Sequence, residues 1–442
     1  MKDLARQLEA AGVHTLLAQF TDVHGVAKGK YVPLAHLDDL LRTGAGFAGP
    51  SIWGTGLPRT GARAEYYARA DAALIKPMPW QPGYARAVCS GFVDGQPFEA
   101  CPRQVLQRAT QRLAERGWTL KTGIEPEFFL LRQEAGKWVP ADDADRLDKP
   151  SYDLRSLPRQ AEFLDALNRT LTAWGLDVLQ LDHEDAHSQF EVNFAFDEAL
   201  ASADHLIGFK LAAQALAEAR GMVFSMMPKP FANQPGSGMH FHVSLWDEAG
   251  RGLFSPEAGS GADLSELGRH FIAGVLAHSP ALCALAAPTV NSYKRLVVGE
   301  SLSGTSWAPA YVAHGPNNRT AVVRTLPGRF EWRLPDASTN PYLATAALIA
   351  AGLDGIDRRL DPGPACTDDL FQIPLGDIRA RGIPVLPQSL SEAVQALQAD
   401  EVVSAALGPV LTAEFIRLKQ AEWTAYARHV SDWELSRYAA MF

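Results

Sequence analysis

At 442 residues, with 47% hydrophobic and 21% charged side chains, the chain has the composition of a folded globular protein large enough to bury an extensive core without disulfides or a structural metal. Its 50 acidic residues outnumber 41 basic ones and no run of Lys or Arg occurs, which argues against nucleic acid or a membrane surface as partner. Four cysteines, Cys89, Cys101, Cys283 and Cys366, form no CxxC pair and fit the unpaired thiols of a cytoplasmic protein.

The N-terminal MKDLARQLEAAG reads as an amphipathic helix and lacks the apolar stretch of an export signal. Residues 1–101 then alternate short apolar runs with Gly and Pro, the pattern of short strands joined by loops. At Pro102 the texture changes: RQVLQRATQRLAERG carries apolar residues at helical spacing and stops at Gly117, so the chain is divided into 1–101 and 102–442. Beyond the boundary, strand-like runs (TLKTGIEPEFFLL, LDVLQLDHED, SQFEVNFAF, MHFHVSLW, AVVRTLP, RFEWRLP) alternate with helical ones (PRQAEFLDALNRTLTAWG, DHLIGFKLAAQALAEARG, NPYLATAALIAAGLDGI). This predicts an α+β domain with mainly antiparallel strands. The most apolar windows, 281–290 and 344–353, are interrupted or bounded by Pro and Gly well short of the ~20 residues of a membrane span. Two helices, over 389–406 and 412–428, close the domain.

Several clusters could carry chemistry. Glu125-Pro126-Glu127 lies in a strand-like stretch, so both carboxylates project from one face beside Phe128, Phe129 and Leu130. Such a pair is costly to bury unless a cation neutralises it; a solvated edge pair is the plainer reading. DHEDAHSQFE places Glu184 and Glu191 among Asp182, His183, Asp185 and His187, as a charged loop also would. His240-Phe241-His242 puts two imidazoles on one strand face, and Arg329, Glu331 and Arg333 alternate along GRFEWRLP, a spacing that an ion-pair ladder shares. Arg295, Arg319 and Arg324 add cations suited to carboxylate or phosphate oxygens. Five Glu, a His and five Arg in one domain suit Mg²⁺ or Mn²⁺ with phosphate better than Zn²⁺ with thiolate, which points to two-metal phosphoryl transfer to an acceptor the residues do not name. A metal-dependent hydrolase would not need the five arginines.

In order along residues 120–356, GIEPEFF, HEDAHSQFE, GSGMHFHVS, NSYKRLV, NNRTAVVR and GRFEWRLPDASTNPYLATAALIAAGLDGI resemble the glutamine synthetase family. FTDVHGVAKGK, GAGFAG and ADAALIKP resemble its N-terminal β-grasp domain. The resemblance implies a β-grasp domain followed by a catalytic domain whose antiparallel strands form an open barrel flanked by helices. It implies that Glu127, Glu184 and Glu191 hold the metal facing glutamate, and that Glu125, His240 and Glu331 hold the metal facing the ATP phosphates, with two or three Mg²⁺ or Mn²⁺ ions in all. Arg295 and Gly236 match the binding site for L-glutamate, Arg319 the group stabilising the transferring phosphoryl, and His242, Arg324, Arg329 and Arg333 the surroundings of nucleotide, phosphate and glutamate. The implied reaction phosphorylates the glutamate γ-carboxylate with ATP and lets an amine displace phosphate. The implied assembly is a dodecamer with sites between subunits.

The chain departs from the family pattern in places. Ala48 stands where the family's ammonium-binding Asp would be, and the flap reads VGESLSGTSWAP, longer than usual, with Glu300 or Trp307 in the place of the flap glutamate. Pro235 replaces an Asn of the glutamate site, and Phe371 stands where adenylylated members carry Tyr. GAGFAG and VGESLSGTSWAP also resemble the type III branch of the family and its glutamate–methylamine ligases. Losing a carboxylate while gaining an aromatic flap leaves an apolar space, where one methyl group contributes on the order of 1 kcal/mol. The expected acceptor is therefore a small primary amine such as methylamine; the alternatives are ammonia and, more remotely, a catalytically silent structural relative.

Overall fold

The computed structural model describes residues 2–259, 261–299 and 307–442. The first part of the chain builds one sheet. Helix α1 (Lys2–Ala10) leads into β1 (Thr15–Thr21), β2 (Ala27–Pro33), α2 (Leu37–Arg42), β3 (Ala45–Ala48), β4 (Glu65–Pro77), β5 (Tyr84–Val93) and β6 (Gln96–Pro97). The strand order is β2-β1-β5-β4-β3, with β6 added to β5; β1 and β5 run parallel and the remaining neighbours antiparallel. Asp22 turns the β1–β2 hairpin by accepting the N–H groups of His24 and Val26 on one carboxylate oxygen. The short helix α2 is an element the Gly- and Pro-rich sequence of this part did not reveal.

Helix α3 (Pro102–Ala114) opens the second part with proline at its first turn, where the missing N–H has no helical partner to lose. There follow β7 (Trp118–Glu134), β8 (Lys137–Pro140), α4 (Ala161–Trp174), β9 (Val178–His183), β10 (Gln189–Phe194), β11 (Asp197–Glu198), α5 (Ala199–Glu218), β12 (Val223–Ser225) and β13 (Met239–Asp247). Then come α6 (Glu266–Ala277), α7 (Ser279–Ala286), β14 (Tyr311–Pro316), β15 (Ala321–Leu326), β16 (Arg329–Trp332) and α8 (Pro341–Asp357). The chain closes with α9 (Leu375–Ala380), α10 (Leu390–Ala399), α11 (Glu401–Leu407), α12 (Pro409–Ala427) and α13 (Asp432–Tyr438). The larger sheet follows the path β14-β15-β16-β13-β7-β10-β9, with β8, β11 and β12 also on β7. Among the described residues of this sheet only β14 and β15 pair in parallel, and β14 and β9 are not paired to each other, so the barrel is open.

The long strand β7 divides the sheet's two faces by simple alternation. Ile124, Phe128 and Leu130 point to the helices, where Phe128 packs on Phe163 of α4 and Phe209 of α5 with ring centroids 6.2 and 6.0 Å apart. Glu125 and Glu127 take the other face. Helices α6 and α8 cross so closely that a Cβ on Gly274 would lie 2.0 Å from the Ala351 carbonyl, and one on Gly355 2.1 Å from that of His270, so neither position admits a side chain. The helix expected over 389–406 is two helices: Asp400 leaves the helical region and its carboxylate caps α11 through the Val403 N–H. Among the described residues no helix is long and apolar enough to cross a membrane. The four cysteines are unpaired.

A buried polar clasp ties the two sheets. Arg103 of α3 forks onto Asp204 of α5 (Nη2–Oδ2 2.8 Å, Nε–Oδ1 3.0 Å), and the Tyr342 hydroxyl donates to the same carboxylate at 2.7 Å. Arg86 of β5 donates to Gln19 and to the Asp204 carbonyl, while Asn340 at the start of α8 donates to the Asp22 and Val23 carbonyls. Removing one member leaves uncompensated charge in the interior. Asp204→Ala is expected to lower the unfolding free energy by about 3–5 kcal/mol and Tyr342→Phe by about 1 kcal/mol, read from denaturant titrations.

Candidate active site

Strand register assembles the site. From Trp118 to Pro126, β7 pairs with β13, and from Glu127 to Phe129 it pairs with β10 on its other side. Pro126, with no N–H to give a ladder, sits where the partner changes. Glu125 is thus opposite His240, whereas Glu127 is opposite Glu191, which is in turn opposite Asp182 of β9. On the other flank, His242 is opposite Glu331, and Glu331 is opposite Arg324. The residues line a cleft of roughly 800 Å³.

Two groups of donors result. The ligand atoms of Glu127, Glu184 and Glu191 lie within 4.8 Å of one another. Glu125 belongs to two further sets of the same span, one with His242 and Glu331 and one with Glu191 and His240. His242 Nε2 is 3.1 Å from Glu125 Oε1, and His240 Nδ1 lies 3.4 Å from Glu331 Oε1 and 4.0 Å from Glu125 Oε2. The Glu125, His240 and Glu331 side chains are therefore neighbours, with His242 completing the ring.

Electrostatics separate the two sides. Burial, together with the mutual repulsion of Glu127, Glu184, Asp182 and their neighbours, pushes the Glu184 and Glu191 carboxyls well above the usual range. Asp182 is raised to about 6 by burial and by Glu125. Glu127 is also raised by burial, against the pull of Arg295 and of the Gly238 N–H that it accepts at 2.9 Å. Burial works the same way on Glu331, but Arg333, His240, His242 and Arg324 outweigh it and hold this carboxyl down at about 2. Arg324 Nη1 donates to Glu331 Oε2 at 2.6 Å and Arg333 Nη1 donates to Oε1. His240 is pushed far down by burial and by Arg333, so its imidazole is neutral and free to be a ligand.

The arginines differ in what they do here. Arg333 is almost wholly buried, and its remaining N–H groups reach the carbonyls of Arg319 (3.0 Å) and Trp307 (3.3 Å), so it braces Glu331 and the segment above it. Arg319 is exposed to the cleft from the turn between β14 and β15. Arg295 is buried under Gly238, where a Cβ would stand 2.8 Å from Nη2 and displace the site's side chains; at Gly236 a Cβ would meet the Pro228 carbonyl at 2.3 Å, so glycine is required there by close approach. Arg329 does not line the cleft: it stands exposed at the rim and its Nε donates to His242 Nδ1 at 3.3 Å. Glu300 lies outside the described residues, while Trp307 and Pro235 line the cleft and Ala48, at the exposed end of β3, does not.

Sequence reasoning missed Gln189, Asn193, Lys229 and Tyr152, which also line the cleft. Gln189 is the most constrained: its amide donates to Glu127 (3.1 Å), the Gly236 carbonyl (3.1 Å) and Ser237 (3.2 Å). Period-two alternation along β10, through Gln189, Glu191 and Asn193, was the available signal.

Comparison with known proteins bears on this arrangement. The family model described as glutamine synthetase, catalytic domain, matches residues 99–438. A glutamate–methylamine ligase of Methyloversatilis universalis is 51% identical over 431 residues, 97% of each chain. A glutamine synthetase of Rhizobium leguminosarum bv. phaseoli is 38% identical over 433 residues, 98% of each. The solved structure "GmaS/ADP complex-Conformation 1" superposes with a TM-score of 0.92 at 37% identity, covering 99% of this chain and all of that one; "Apo GmaS without ligand" does so at 0.90 and 36%, covering both chains fully.

The donor set is oxygen-rich with a single class of nitrogen ligand, which fits hard divalent cations. Cation binding and protonation compete for the raised carboxylates. Asp182 contributes stability that is full below its ordinary 3.8 and is lost as pH rises through about 6, and Glu184 and Glu191 act in the same direction. The rise in melting temperature produced by Mn²⁺ is therefore expected to grow from about pH 5 to about pH 7, and Mn²⁺ binding at the lower end is expected to release protons into a weakly buffered solution. An increment independent of pH would contradict the assignment.

Proposed function

This chain belongs to the glutamine synthetase family, and from that premise we propose that it is an ATP-dependent carbon–nitrogen ligase joining the γ-carboxylate of L-glutamate to a small primary amine, methylamine in preference to ammonia. The observation that carries the reading is the likeness, over nearly the whole of both chains, to a protein named glutamate–methylamine ligase. The cleft's chemistry agrees with it: carboxylates, neutral imidazole and arginines converge where an anion would transfer a phosphoryl group.

In this reading Glu127, Glu184 and Glu191 hold one divalent cation, and Glu125, His240 and Glu331 a second. When bound, such ions neutralise phosphate and carboxylate charge as it shifts between the reactants. Arg295 receives the α-carboxylate of glutamate beside the Gly236 backbone, which leaves the γ-carboxylate facing the nucleotide. The γ-oxygen attacks the γ-phosphorus of ATP, ADP leaves, and Arg319 stabilises the charge on the transferring group. His242, Arg324 and Arg329 flank the nucleotide, and Arg333 supports the site by holding Glu331 ionised. The amine nitrogen, after losing its proton, then attacks the acyl carbon of γ-glutamyl phosphate and expels phosphate. Trp307, whose carbonyl accepts from Arg333 at the cleft, helps keep water from the acyl phosphate; Glu300 is assigned to the flap from sequence alone.

Among the described residues, those lining the cleft all fall between 125 and 333, and none comes from the first sheet. This supports a ring assembly, a dodecamer in the family's manner, in which the 1–101 domain of a neighbouring copy brings Ala48 to the cleft of the 102–442 domain. A cytoplasmic location completes the reading.

Phosphate release from ATP with Mg²⁺ and L-glutamate should be faster with methylamine than with ammonia at equal concentration. Ala48→Asp, by restoring a cation-binding carboxylate, should move the preference toward ammonia by about tenfold. A clear wild-type preference for ammonia would make the protein a glutamine synthetase whose ammonium site is built differently. No glutamate-dependent turnover with any amine would remove the ligase reading altogether.

A further inference from the structure

Behind the cleft lies a pair that the reaction above does not use. His183, at the end of β9, and Asp145, in the segment between β8 and α4, are both almost fully buried, with His183 Nε2 2.8 Å from Asp145 Oδ2. The other ring nitrogen, Nδ1, is 2.8 Å from the carbonyl oxygen of Glu184. A carbonyl and an ionised carboxylate can only accept, so both ring nitrogens donate and the imidazole has no freedom to turn. The same Asp145 Oδ2 accepts the Ser188 N–H at 2.6 Å, and its Oδ1 accepts the Ser156 hydroxyl at 3.0 Å. One carboxylate therefore closes the base of the 183–188 loop from both ends.

The loop's contents make this closure consequential. Glu184 leaves it at one end, its own N–H fixed on the Gln189 carbonyl at 2.9 Å. Gln189 follows it at the other end and points Glu127 into the same carboxylate group. Glu127, Glu184 and Glu191 repel one another, so their spacing has to be held by what surrounds them.

We propose that the Asp145–His183 pair is a positioning device that holds the 183–188 loop closed, thereby fixing Glu184 directly and Glu127 through Gln189 at the mutual spacing a divalent cation needs. The inference rests on the ligand assignment of Glu127, Glu184 and Glu191 made above. Neither Asp145 nor His183 touches substrate or cation; each acts through the loop.

The test is Mn²⁺ binding to the substrate-free protein, followed by electron paramagnetic resonance of the free ion, alongside turnover and thermal melting. Asp145→Asn keeps an acceptor for the Ser188 N–H and a partner for Ser156 but removes the counter-charge that a doubly protonated imidazole needs, so one of the two His183 bonds is lost; Asp145→Ala retains none. His183→Gln keeps the reach of Nε2 to Asp145 and loses the donor to the Glu184 carbonyl. Asp145→Ala and His183→Gln are expected to weaken Mn²⁺ binding and raise the Mn²⁺ concentration for half-maximal turnover by about tenfold or more, with KM for ATP within about twofold. Asp145→Asn, which still ties the loop through Ser188, is expected to fall between wild type and Asp145→Ala. Wild-type Mn²⁺ binding in folded Asp145→Ala or His183→Gln would overturn the proposal. So would an Asp145→Asn protein that melts normally yet binds Mn²⁺ as poorly as Asp145→Ala. Should Asp145→Ala not fold, the His183→Gln and Asp145→Asn arms decide alone. Absence of glutamate- and ATP-dependent turnover in the wild type would instead count against the ligase reading, leaving the Mn²⁺ result to stand on its own.

Discussion

Like charges gathered in a half-buried space repel one another and lose solvation at the same time, and a structure that gathers them must hold them by force. Here Glu125, Glu127, Glu184, Glu191, Glu331 and Asp182 share one cleft wall, and much of the second part of the chain can be understood as the restraint. The restraint is mostly backbone. Glu125, Glu127, Glu191, Asp182 and Glu331 stand on paired strands, where ladder hydrogen bonds fix each Cα, and Glu184 follows directly from the end of β9. The helices behind β7 supply the apolar packing that keeps those strands from relaxing, with Phe128 at the centre.

The two flanks meet the same difficulty in different ways. On the Glu331 side the protein carries its own counter-charge: Arg324 and Arg333 neutralise the carboxylate within the fold, and the site needs little from outside to be stable. On the Glu184 and Glu191 side no arginine enters the group, Arg295 being drawn toward Glu127 and Asp336, and the compensation is left to a proton or a cation. One side is thus organised in advance, and the other is completed by what it binds. A cleft with both properties is rigid on one flank and responsive to added positive charge on the other.

The sequence made much of this readable. Alternation placed Glu125 with Glu127, His240 with His242 and Arg329 with Glu331 and Arg333, because a strand's period of two survives any packing context. The same rule applied to β10 would have added Gln189 and Asn193. What it could not show was which strands adjoin, since register between distant segments is set by contacts far apart in the chain; the sharing of Glu125 between two donor sets, and the burial of Arg333 beneath Trp307, follow only from that adjacency. The α10–α11 break escaped notice because Asp400 is compatible with a helix interior until its side chain turns to cap the next helix. Helix α7 lies in a nearly uniformly apolar run with no amphipathic stripe to reveal a helix, whereas α6, with Glu266 and Arg269 exposed and Phe271, Ile272 and Val275 buried, carried helical spacing that could have been read.

The change of partner at Pro126 has a consequence for how such a site can vary. Because the carboxylates on either side of it belong to different ladders, their separation is counted in whole residues of one strand, each about 3.4 Å, and cannot be altered by intermediate amounts. An insertion or deletion there would turn one of the two away from the cleft altogether. The spacing is digital, as the teeth of a gear are, and variation among proteins built on this strand is confined to what surrounds the pair: the rim, the flap and the loops that reach in from elsewhere.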